Sequence, residues 1–165
     1  PPMKRTGTLH PSAERWMRHL VRPGPAASSS AVFWWATHRP RAFMSALGAV
    51  IRAYWRRAPG LLMKALVTVA TASAHARAIE SLGVRHLHAH TATYPLLAAW
   101  FCRRLTGVGY SFTAHAHDIF MDQTFLRERL AEARFAVAMT SGRPASSAFS
   151  FAALSSRESL GCSSE

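Results

Sequence analysis

A chain of 165 residues with 49% hydrophobic side chains can build one domain with a substantial core, which excludes wholesale disorder. Its formal net charge of +12 favours negatively charged partners, whether nucleic acid, an anionic membrane surface or a phosphate-bearing ligand, and carries no information on fold. Cys102 and Cys162 sit in unlike contexts, which excludes a disulfide framework or a cysteine zinc site and fits a reducing, cytoplasmic setting.

No apolar run reaches the roughly 18 to 20 residues of a membrane span. After Lys4-Arg5 no apolar core leads to a small-residue cleavage site of the signal-peptide kind. Residues 1–40 mix proline, arginine and serine around Pro23-Gly24-Pro25 and Ser28-Ser29-Ser30. They are expected to be irregular, apart from a turn of helix over 13–20. From residue 41 the period becomes helical: Phe43, Leu47, Val50, Ile51 and Tyr54 recur at helical spacing, with Arg41, Arg52, Arg56 and Arg57 on the other faces.

That helix is expected to stop at Pro59-Gly60, and a second to run over 61–82 with Gly83 as its cap. A strand over 85–89 follows, then a helix over 94–105 with Pro95 in its first turn, closed by Thr106-Gly107. A second strand covers 109–114, a further helix 123–133, and a third strand 134–140. Strands alternating with helices of this length read as βαβ units and a parallel sheet, hence an α/β fold over 41–140. Residues 141–165 are rich in serine and alanine and show neither period. They are expected to be a flexible terminus or a stretch foreign to the fold, such as a frame change would leave.

Two strands end in imidazoles, as His86-Leu87-His88-Ala89-His90 and as Thr113-Ala114-His115-Ala116-His117-Asp118. Alternate residues of a strand share a face, so His86, His88 and His90 point one way, as do His115 and His117. Side chains at the carboxyl ends of parallel strands line the ligand crevice. The expectation is one polar pocket, with imidazole as base or hydrogen-bonding group and Asp118 orienting an imidazole or binding a hydroxyl.

The HxH pair also resembles the first ligands of metal-dependent amidohydrolases, but no histidine follows His117 to complete such a site, and no metal is expected. The arginine-flanked helix, with Trp55, either packs its apolar side in the core or lies on an anionic membrane surface through Arg41, Arg52, Trp55, Arg56 and Arg57. A basic module for nucleic acid or acidic polymer is the alternative from another class. Arginines scattered over every segment, with no recognised motif, argue against a specific nucleic-acid partner. Neither GxGxxG nor a P-loop is present.

The block GVRHLHAHTATYPLLAAWFCRRLTGVGYSFTAHAHDIF, with the later FLRERLAEARFAVAMTS, resembles the N-terminal domain of bacterial family 4 glycosyltransferases, above all those that build exopolysaccharides such as colanic acid. The resemblance implies half of a GT-B fold, in which two Rossmann-like domains face across a cleft. It also implies transfer of a sugar from a nucleotide-sugar, with retained configuration and without metal or other cofactor, to a polysaccharide or lipid-linked acceptor at the inner face of a membrane. On this likeness His88 and His90 lie at the cleft, His115 near the transferred sugar as the catalytic position, and His117 and Asp118 in the substrate-binding loop. Hydrogen bonding from His115 to the reacting sugar or an acceptor phosphate would supply the positioning and electrostatic help that sugar transfer needs.

Two departures qualify the likeness. Residues 1–40 show no opening strand with a glycine-rich loop. The donor-binding domain, with its E-x7-E glutamates, has no counterpart, and Glu158 and Glu165 stand one position short of that spacing. The chain alone is therefore expected to turn over no nucleotide-sugar.

Overall fold

Three prolines open three successive helices. Pro25, Pro40 and Pro59 each stand at the start of a helix, where the missing N–H costs nothing and the fixed φ is already helical. The helices are α1 (Pro25–His38), α2 (Pro40–Arg57) and α3 (Pro59–Ser81). They lead into β1 (His86–Ala89), α4 (Tyr94–Thr106), β2 (Gly109–His115), α5 (Leu126–Ala131) and β3 (Ala136–Met139). The computed structural model describes residue 17, residues 19–115, residue 118 and residues 123–139, with 138 and 139 by backbone only. His117, the stretch 141–165 and most of the turn expected over 13–20 lie outside the described residues.

The three strands form one parallel sheet in the order β1-β2-β3. Leu87 pairs with Tyr110 and Ala89 with Phe112, while Phe112 pairs with Ala136 and His115 with Met139. The expected α/β class, with a parallel sheet and flanking helices, is what the chain builds. Helix α4 touches β1 and β2 of the sheet and also packs on α2 and α3, while α1 packs on α3. Its Leu97, Trp100, Phe101 and Leu105 are buried with Tyr110 and Phe112 of the central strand. Phe43 of α2 meets Phe101 edge-to-face at 6.0 Å.

Helix α1 corrects the expectation of an irregular segment over 1–40. The serines read as turn formers, yet inside the helix Ser29 Oγ donates to the carbonyl of Pro25 and Ser30 Oγ to that of Ala27, so both hydroxyls fold back onto the helix. Tertiary packing decides the matter. Ala31 and Trp35 are buried, and the Trp35 indole N–H donates to Ser73 O of α3 at 2.9 Å. Helix α5 starts later than the expected residue 123 because Phe125 has a φ of 59°, a left-handed conformation that no helix can run through. The ring of Phe125 is buried edge-on to Trp100, with centroids 4.8 Å apart. Pro59-Gly60, expected only to stop α2, also opens α3.

Both glycine caps stand where expected. Gly83 has a φ of 62°, and its N–H and that of Val84 return to Glu80 O and Ile79 O in the Schellman pattern. Gly107 closes α4 with a φ of 79° and a 2.7 Å bond to Arg103 O. A Cβ at Gly107 would meet nothing within 4 Å, so its replacement tests backbone conformation alone. Gly107→Ala is expected to lower unfolding free energy by roughly 1 kcal/mol, read from the urea midpoint at unchanged m.

Candidate functional site

Strand β2 outruns β1. Ala89 lies opposite Phe112, and β2 continues to His115. The residue that leaves β1, His90, therefore comes beside the end of β2. The rings of His90 and His115 meet edge-to-face with centroids 5.5 Å apart and planes at 74°. His90 is exposed and His115 half-buried, so both imidazoles are within reach of a ligand at the carboxyl edge.

Asp118 is held against backbone amides at this edge. Its Oδ2 accepts the backbone N–H of Ala92 and that of His115, both at 3.3 Å. The carboxylate thus ties the β1–α4 loop to the end of β2 and positions the imidazoles through the backbone. The same loop is held a residue further on, where Arg129 Nη1 donates to Thr93 O at 2.8 Å.

The other two histidines line the sheet face behind this edge. Ser111 Oγ lies 2.8 Å from His86 Nε2 and 2.9 Å from His88 Nδ1, and His88 Nε2 lies 3.0 Å from Thr113 Oγ1. Ser111 and Thr113 are buried beneath these rings, and the Phe135 ring stacks parallel to His86 with centroids 6.0 Å apart. In this chain of bonds each hydroxyl proton can point to only one nitrogen, so the tautomers of His86 and His88 are linked. A period-2 reading of Tyr110-Ser111-Phe112-Thr113 puts both hydroxyls on the face of His115. That signal was available in the sequence, although the match to the imidazoles of β1 needs the register.

An apolar cleft of about 370 Å³ opens beside β1, between the end of α3 and the start of α4. Ile79, Leu82, Val84, Leu87 and Ala98 form its walls, and His75, His88 and His90 contribute imidazoles. Cys102 also lines it, a thiol buried and pushed up to about 12 by desolvation, which leaves no thiolate nucleophile at neutral pH.

Burial lowers the pKa of His75 from the usual 6.5, so the folded state favours its neutral form. The unfolded chain then takes up the proton first. Stability held above pH 6.5 should fall as the pH drops through that value towards the folded pKa. Urea midpoints measured from pH 7.5 downward should show this slope in the wild type, and His75→Gln should remove its share of it.

Among the described residues no group of three or more His, Cys, Asp or Glu side chains is placed to hold a metal ion. Nε2 of His86 and both ring nitrogens of His88 face hydroxyls. Arg41, Arg52, Trp55, Arg56 and Arg57 are all exposed on α2, and none of them lines the cleft. No helix among the described residues is long and apolar enough to cross a membrane. Arg129, which the sequence places on the polar face of its helix, is instead buried and braces the loop, and Phe135 stacks on His86. No family model, no curated protein and no solved structure matches the chain.

Proposed function

We propose that the carboxyl edge of this sheet is the acceptor side of a sugar-transferring protein. In this reading a polysaccharide or lipid-linked acceptor is bound at the cytoplasmic face of a membrane, and a second domain supplies a nucleotide-sugar to a reaction that retains configuration. The observation that carries it is the meeting of His90 and His115, from neighbouring parallel strands, at the carboxyl edge of the sheet, the edge at which α/β folds bind ligands. Paired imidazoles can both donate to and accept from sugar hydroxyls, and either can donate to a phosphate oxygen.

Within this reading His115 contacts the reacting sugar or an acceptor phosphate, and His88 and His90 line the acceptor path. Asp118 acts through the backbone amides it holds. The adjoining apolar cleft would take the uncharged part of a lipid-linked acceptor.

Histidine side-chain NMR on the full chain tests the proposal, with short oligosaccharides and sugar phosphates as ligands and inorganic phosphate as control. The expected result is saturable movement of the His90 and His115 signals with the sugars. Affinity should fall about tenfold in His115→Ala, the loss of one or two hydrogen bonds. Signals that respond to phosphate alone, or to nothing, would remove sugar recognition from this edge. Steeply salt-dependent binding of DNA in place of sugars would hand the site to the nucleic-acid reading.

A further inference from the structure

Helix α2 has two apolar faces, and among the described residues one is buried in the core while the other is exposed. Phe43, Ala46, Val50 and Tyr54 are buried in the core. Met44, Ile51 and Trp55 are exposed by 59%, 37% and 68%. At about 100° per residue, positions i, i+7 and i+11 fall within about 40° of one another, so these three make one stripe roughly 16 Å long. Gly48 lies in the same stripe, and a Cβ there would meet nothing within 4 Å, so the face is open.

The border of the stripe away from the core carries Arg41, Arg52 and Arg56, all exposed. No aspartate or glutamate occurs anywhere in α2. Apolar residues on one side, a tryptophan among them, and arginines along the flank are the arrangement of a helix lying in a membrane interface. Charge selects the occupant. A second copy of a chain carrying +12 would bring arginine against arginine, whereas anionic headgroups complement the border.

We propose that α2 docks the chain side-on against an anionic lipid surface. Met44, Ile51 and Trp55 enter the headgroup boundary, and Arg41, Arg52 and Arg56 engage the lipid phosphates. This surface is separate from the histidine edge, and the proposal stands whether or not that edge binds sugar. It also resolves the two readings of this helix in the sequence: the period of Phe43, Val50 and Tyr54 belongs to the core, and a second stripe faces outward.

Co-sedimentation of the full chain with vesicles tests it, comparing phosphatidylcholine alone with phosphatidylcholine containing phosphatidylglycerol. The expected result is binding to the anionic vesicles that weakens as salt is raised. The exposed triple variant Met44→Ser, Ile51→Ser, Trp55→Ser should lose about tenfold or more, as should Arg52→Glu with Arg56→Glu. Arg85→Glu with Arg127→Glu makes the same change of charge at exposed positions away from α2 and should stay within about twofold of wild type. Far-UV circular dichroism confirms that each variant is folded. Equal loss in both charge pairs would reduce the effect to overall charge and overturn the proposal. So would undiminished binding of the triple serine variant, or no binding at low salt. A dimer dissociated by Trp55→Ser would assign the stripe to a second copy and likewise overturn it.

Discussion

Replacing Arg129 with methionine is expected to lower unfolding free energy by about 3 to 5 kcal/mol, near the upper end for single substitutions. The guanidinium is fully buried. Nε donates to Phe125 O at 2.9 Å, Nη1 to Thr93 O at 2.8 Å and Nη2 to Thr124 O at 2.9 Å. Hydrogen bonds to a charged group contribute about 1.5 to 3 kcal/mol each, and methionine would leave their carbonyl acceptors inside without donors.

The residue is also a junction for the backbone, because its own carbonyl accepts the Tyr110 hydroxyl. That phenol is held well above its ordinary pKa, first by burial and then by the charge of Glu132, so it stays a donor. Arg129→Lys should recover only part of the loss, since one ammonium cannot serve three carbonyls with the geometry of a planar fork. Urea unfolding of both variants measures this, and a loss below about 1 kcal/mol for methionine would show that the guanidinium is not what holds α5 to the β1–α4 loop.

Trp35→Ala should be comparably costly, at about 3 to 5 kcal/mol, because it empties a large ring volume between α1 and α3. Trp35→Phe separates the contributions. It keeps most of the apolar volume but leaves Ser73 O without the indole donor, and should cost about 1 to 2 kcal/mol. Amide exchange in α1 is the sharper readout. Without the indole α1 should exchange well ahead of α4, whereas uniform loss across the chain would mean that α1 folds and unfolds with the rest.

These two residues mark where the sequence was legible and where it was not. The βαβ rhythm from residue 85 onward was readable because strand and helix periods differ, and because Gly83 and Gly107 mark helix ends by a backbone requirement that other residues meet poorly. The pairing of His90 with His115 followed from the rule that parallel strands offer their carboxyl ends together. Helix α1 was not readable, since Ala-Ala-Ser-Ser-Ser carries little amphipathic signal and its helicity depends on Trp35 finding Ser73, far along the chain. Arg129 looked like one more solvated charge on a short helix. Only the left-handed Phe125 and the neighbouring loop carbonyls draw it inside. Ser111 and Thr113 were visible as polar positions in a strand, but their partners depend on register, which no single strand contains.

The carboxylate of Asp118 has a mechanical consequence. One oxygen grips the amides of both Ala92 and His115, so the loop after β1 and the end of β2 cannot shift without tugging on each other. A visitor that displaces His90 by pushing the first connection aside will drag His115 with it, and the two rings should open and close as a single jaw.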